Sequence, residues 1–214
     1  MVAYRAEQRV RLAALRAGWL TQTFVHWSFP VEAVQTLAPE PLAVDEYEGA
    51  GWVGLTPFAM ADVRLPGVPA KTPGLPTLPE TSLRTYVRHP SSGRRGAGGA
   101  SYRLVVRPGA PIERPTERDV WLTSRWRAYT RRLGMLRETP VEHEPWPLAS
   151  AGVEVLEETL VASAGFSAPS GDPVMHFSEE VRHVRLGASL PARRRPSLPE
   201  SGPLCRSVPA GPDR

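Results

Sequence analysis

From Trp19, the stretch "WLTQTFVHWSF" sets aromatic and β-branched residues against polar ones at every second position, the period of a strand. Pro30 then opens "PVEAVQTLAP", which predicts a short helix with proline at its first position and a second proline ending it. The alternation resumes in "LAVDEYEGAGWVGLTPFAM", giving strand, turn at Glu48-Gly49, and strand. "TSLRTYVRH" (81–89) and "SYRLVVRP" (from Ser101) predict two more strands. "ERDVWLTSRWRAYTRR" (117–132) predicts a helical turn leading into a strand. "ETPVEHEPWPL" is extended and broken by prolines, and "VMHFSEEVRHVRLG" closes the domain as a strand.

Two segments carry helical spacing instead. Residues 5–17 place Val10, Ala13, Ala14 and Ala17 on one face, and "SAGVEVLEETLVASAG" (150–165) spaces Val153, Leu156, Leu160 and Ala164 ahead of Gly165. The pattern therefore predicts a mixed, strand-rich α+β domain with two or three short helices.

Composition changes this picture at the connections. There are 24 prolines, and Pro66, Pro69, Pro73, Pro76 and Pro79 fall in one stretch, which excludes a central strand there and predicts a loop. "RHPSSGRRGAGGASYR" (88–103) is Gly- and Arg-rich, and beyond Leu190 the chain has too few large apolar residues to offset its ordering entropy. The expected organisation is an N-terminal helical lead over 1–18 and one α+β domain over 19–190 with a Gly/Arg-rich seam at 89–101. A disordered tail over 191–214 follows.

The formal charge of +4 and pI of 9.7 invite a nucleic-acid partner. The excess lies in the tail, however, where Arg193, Arg194, Arg195, Arg206 and Arg214 face only Glu200 and Asp213. The body is left near neutral, without the concentrated basic face that nucleic acid requires. Cys205 is the only cysteine, which excludes an intrachain disulfide or a thiolate cluster. No apolar run approaches the ~18 residues of a membrane span. The N-terminal "MVAYRAEQRVRLAALRAGW" has no hydrophobic signal core, so a cytoplasmic protein is expected.

Three segments in order, "HWSFPVEAVQTLAPEPLAVDEYEGAGWVGLTPFAM", "PETSLRTYVR" and "WLTSRWRAYTRR" with "VEHEPWPL", resemble the YqjF-like family of uncharacterised bacterial proteins. The resemblance covers about residues 19–89 and 117–186. It implies an acetoacetate decarboxylase-like fold, a bent antiparallel sheet forming a cone around a small-molecule cavity. Family members carry further strands between "RTYVR" and the segment like "SYRLVVRPGAPIERP", including Leu-Pro-Tyr and Tyr-x-Ser-x-Arg elements. This chain passes directly from Arg88 to Tyr102, so the cone is expected to be incomplete, through natural shortening or loss from the gene.

The candidate chemistry is sparse. The glycines at 93–99 lack the Gly-Lys-Ser/Thr and the following helix that a phosphate loop needs, so no cofactor is expected. A Schiff-base decarboxylase needs a desolvated lysine, and Lys71, the only lysine, sits in the proline-rich loop. His26, His89, His143, His176 and His183 form no HxxxH or HxH pair, so no metal site is expected. His143 orients a ligand, acts as a base, or hydrogen-bonds within the Pro145-Trp146-Pro147 corner.

If "LRTYV" is a strand, Arg84, Tyr86 and Arg88 share one face. Arg84 then suits a carboxylate or phosphate, or else forms an ion pair with an acid such as Glu80. Arg125 and Tyr129 would meet at i, i+4 on a helical face. The expected function is a small-molecule-binding domain without established catalysis, taking a small acidic or apolar ligand. Arg84, Tyr86, Arg125, Tyr129, His143 and Trp146 are its candidate site, with no nucleic acid or membrane as partner and the oligomeric state open. The alternatives are a lyase or hydrolase that does not use a Schiff-base lysine, and a truncated, inactive family member.

Overall fold

Alternation in β1 (Leu15–Phe29) sends Val25, Trp27 and Phe29 to one face of a sheet and Phe24 and His26 to the other, and both faces are buried. The computed structural model describes residues 2–36, 38, 43–69, 72, 74–88, 100–169 and 171–192. After β1 come α1 (Val31–Gln35), β2 (Ala43–Val44), β3 (Glu46–Tyr47), β4 (Ala50–Arg64), β5 (Leu78–Thr85), β6 (Val87–Arg88) and β7 (Tyr102–Pro111). Then follow α2 (Glu117–Thr123), β8 (Arg127–Arg132), β9 (Met135–Glu142), β10 (Leu148–Glu158), α3 (Leu160–Ser163), β11 (Val174–Leu186) and β12 (Leu190–Pro191). The result is an α+β fold dominated by a curled antiparallel half-barrel.

Every ladder among the described residues is antiparallel. β1 lies between β4 and β11, and β4 pairs on its other side with β3 and then β5. β11 divides its outer edge: His176–Ser178 pair with β10, while Arg185 and Leu186 pair with β9. β10 continues to β7, and β9 carries both β8 and β12. A continuous path β5-β4-β1-β11-β10-β7 results. At its two ends the Thr81 and Tyr102 hydroxyls meet at 2.7 Å. β2 and β6 form a separate small sheet.

The Val25 face packs against Val53 and Leu55 of β4, Val34 of α1 and Val161 of α3, with Leu83, Leu104 and Leu156 half-buried around them. The Phe24 face is covered by Trp121 and Leu122 of α2, Tyr86, Trp146 and Leu148. α2 is fixed at its start by a capping box. Asp119 N donates to Thr116 Oγ1 at 3.2 Å, and Asp119 Oδ2 accepts from Thr116 N at 2.8 Å.

Three expectations are corrected. Residues 5–17 form no helix; most of that stretch is irregular, and β1 begins at Leu15. Its apolar spacing serves contacts instead: Val10 and Ala17 are buried. The expected helix over 150–165 is mostly β10, with only the four-residue α3 at its end. Val153 and Val155 pair with Val106 and Val105 of β7, and this β-branched ladder outweighs the helical spacing. Pro30 is the N-cap of α1 rather than its first residue.

No helix among the described residues is long and apolar enough to cross a membrane. The seam at 89–99, Lys71 and the tail from residue 193 lie outside the described residues.

Candidate functional site

The register of three strands sets His26 beside Gly54 and Gly54 beside Arg84. Gly54 has no side chain to fill the space between them. A Cβ there would fall 2.7 Å from His26 Cδ2 and 3.4 Å from the Tyr86 hydroxyl. The His26 ring and Tyr86 use that slot. Tyr86 donates its proton to the Leu122 carbonyl at 2.6 Å, so its oxygen accepts from His26 Nε2 at 2.5 Å. A carbonyl can only accept, and this chain of bonds therefore fixes the His26 tautomer, with Nδ1 as the lone pair. Burial, reinforced by Arg84, His176 and Arg125, pushes the His26 pKa well below the ordinary histidine value.

Two guanidinium groups flank Tyr86. Arg125 caps an edge-on pair of aromatic rings, its Cζ 4.3 Å from the Tyr86 centroid and 4.4 Å from that of Trp121. Its Nη1 reaches Asp45 Oδ2 at 3.1 Å. Arg84 Cζ stands 5.5 Å from the Phe24 centroid and 5.6 Å from that of Tyr86, and its Nη2 makes one long bond to the Leu122 carbonyl at 3.5 Å. Arg84 Nε and Arg125 Nε and Nη2 are buried without a hydrogen-bond partner among the described residues. Burial lowers the Arg125 pKa, Tyr86 and Asp45 oppose that, and Arg84 adds to it. An arginine nevertheless keeps its charge.

A second polar pair shares this face. His176 lies across from Phe24 on β11, diagonal to His26, and its Nε2 meets Asp119 Oδ1 at 2.9 Å. Burial would raise the Asp119 pKa, but the hydrogen bonds from His176 and Thr116 outweigh it and hold the carboxyl below its ordinary range. His176 Nδ1 and Ser178 Oγ are buried and unpartnered among the described residues.

The residues expected from sequence divide accordingly. Arg84, Tyr86 and Arg125 come together, as strand alternation implied for the first two. Arg84 makes no ion pair among the described residues, and Glu80 is exposed. Tyr129 does not join Arg125 on a helix: α2 ends at Thr123, Ser124 turns extended, and Tyr129 sits in β8 opposite Glu138.

His143 lies in an aromatic corner, its ring 4.6 Å from that of Trp146, 4.7 Å from Trp126 and 5.5 Å from Trp19. Its Nδ1 is 2.5 Å from the Glu144 carbonyl. Burial lowers its pKa, although Glu144 pulls the other way. Trp146 Nε1 donates to the Thr123 carbonyl, tying that corner to the end of α2.

His26, Asp45, Asp119 and His176 were missed. His26–Tyr86 and His176–Asp119 join residues 60 and 57 positions apart, and no local spacing announces such pairs. No group of three metal-binding side chains occurs among the described residues. Two open clefts, of 570 Å³ beside Tyr102 and Glu158 and of 210 Å³ beside Arg16 and Asp62, do not border Arg84 or Arg125.

The family model DUF2071, described as an uncharacterized conserved protein, matches residues 16–98 and 97–182. The chain belongs to that family. The two matched segments meet inside the Gly/Arg-rich seam. The uncharacterized protein YqjF of Bacillus subtilis (strain 168) is 25% identical over 213 residues, covering 78% of this chain and 88% of that protein. Because 78% of 214 residues is far short of 213, dozens of YqjF residues have no counterpart here.

Among solved structures, an acetoacetate decarboxylase-like enzyme from Sphingomonas wittichii RW1 is similar at a TM-score of 0.48 and 12% identity, over 87% of this chain and 96% of that one. The enduracididine biosynthesis enzyme MppR, complexed with pyruvate, is similar at 0.43 and 12%, over 87% and 93%.

Proposed function

We propose that this family member binds a small carboxylate, held by the guanidinium groups of Arg84 and Arg125. One observation carries the reading: three buried guanidinium nitrogens have no partner among the described residues, although unmade charged donors are costly. A carboxylate supplies acceptors in the planar arrangement that a guanidinium fork matches. Phe24, Trp121 and Tyr86 around the two cations suit an apolar or aromatic body on the same ligand. The Arg125 side chain keeps 21% of its exposure, so the site is approached from the Arg125–Asp45 side. A cytoplasmic setting belongs to the same proposal.

Thermal-shift titration tests it with phenylacetate against phenylacetamide, its uncharged analogue. Stabilisation is expected from the acid and not the amide, and it is expected to disappear in Arg84→Gln and Arg125→Gln. Equal stabilisation by the amide, or an undiminished effect of the acid in both variants, would overturn the reading.

A further inference from the structure

The same face that carries unmade donors also carries unmade acceptors, and their chemistry narrows the ligand. His26 Nε2–H is committed to Tyr86, so its neutral ring presents a lone pair at Nδ1. His176 Nε2 gives its proton to the Asp119 carboxylate, which Thr116 fixes through its N and Oγ1, both at 2.8 Å. With Nε2–H so engaged, a neutral His176 ring would carry its lone pair at Nδ1. Both Nδ1 atoms are buried without a partner among the described residues, and so is the hydroxyl of Ser178, two residues along β11 from His176.

The register places these groups as neighbours. Phe24 pairs with His176 and His26 with Val174, so the two imidazoles are diagonal cross-strand neighbours, with backbones roughly 7–8 Å apart. His26 is also within electrostatic reach of Arg84 and Arg125.

We infer, resting on the carboxylate reading above, that the ligand is a hydroxy acid: its carboxylate engages Arg84 and Arg125, and its hydroxyl donates to the imidazole Nδ1 of His26 or His176. A plain carboxylate would leave both imidazole acceptors unmet. An amino acid would offer donors too, but its ammonium would stand beside two guanidinium groups, and like charges repel. A neutral hydroxyl meets the acceptors without that conflict. Sites that hydrogen-bond a substrate hydroxyl discriminate strongly against analogues lacking it.

The test compares mandelate, phenylacetate and phenylglycine, which share a carboxylate and a phenyl ring and differ in the group beside them. Titrations by calorimetry are expected to rank mandelate at least tenfold above both others. In the unaltered chain, the ¹⁵N resonance of one imidazole Nδ1 is expected to move upfield with mandelate and stay in place with phenylacetate. His176→Phe and His26→Phe, each checked for a cooperative melt, identify the acceptor: one should erase the preference for mandelate while keeping affinity for phenylacetate.

Equal binding of mandelate and phenylacetate with no ¹⁵N change would overturn this inference and leave the carboxylate reading standing. Tighter binding of phenylglycine would overturn the choice of hydroxyl over ammonium. No binding of any of the three acids would remove both readings together.

Discussion

The Tyr86 hydroxyl stands 2.5 Å from His26 Nε2 and 2.6 Å from the Leu122 carbonyl, so one phenol bridges β1 and α2 and decides which imidazole nitrogen keeps its proton. Tyr86→Phe removes both bonds at once while keeping the ring that Arg125 packs on. The buried His26 N–H is then left unpaired and the Leu122 carbonyl keeps only the long bond from Arg84, at a cost of about 1–3 kcal/mol. Urea denaturation should report that loss, with an unchanged m-value.

Gly54→Ala attacks the same bridge from below. The added methyl would overlap the His26 ring at 2.7–2.8 Å, and the ring can move only by giving up Tyr86. A destabilisation of about 1–3 kcal/mol is expected. A double-mutant cycle with Tyr86→Phe should show the two losses to be strongly non-additive, because both break one contact.

Arg84 offers a sharper discrimination between stability and function. It has no ion pair among the described residues and one long hydrogen bond, so its buried charge is poorly compensated. Replacing such a charge with an apolar residue of similar volume is often neutral or stabilising. Arg84→Met is therefore expected to hold or raise the Tm while abolishing the carboxylate-dependent shift. A fall in Tm of several degrees would instead make Arg84 a structural residue.

The buried histidines give stability a definite pH dependence. His26 and His143 both have pKa values lowered by burial, so below the ordinary value of 6.5 the unfolded chain takes up protons that the folded chain does not. Unfolding is then favoured as pH falls, and stability rises with pH through this window, by about 1.4 kcal/mol per pH unit for each such group. Denaturation midpoints measured between pH 7.5 and 5 should fall steadily. His26→Phe should flatten the slope even if it lowers the midpoint at pH 7.5.

At the start of α2, Thr116→Ala removes the cap on the Asp119 amide and should cost about 1 kcal/mol. Asp119→Ala should cost more, because it also strips His176 of its partner. Thermal melts of the two variants would give the order.

Much of the fold was legible because β1, the β3–β4 hairpin, β5 and β11 carry a strand period in their own sequences, which is written locally even where both faces are buried. β10 was not, because Val153, Leu156 and Leu160 happen to fit a helix and only the distant β7 decides between the two. The site divides in the same way. Arg84 and Tyr86 were legible through strand alternation, whereas Arg125 was matched to Tyr129 on a helix that had already ended at Thr123. The polar partners His26, Asp119 and His176 are set by tertiary register alone.

The Thr81–Tyr102 hydroxyl pair has a mechanical consequence. β5 and β7 end the curled path, each laddered to one neighbour among the described strands, and this pair joins their side chains across the gap. It works as a clasp rather than a weld. Amide hydrogens along the outer edges of β5 and β7 should exchange far sooner than those of β1, and Tyr102→Phe, which unfastens the clasp, should quicken both edges together.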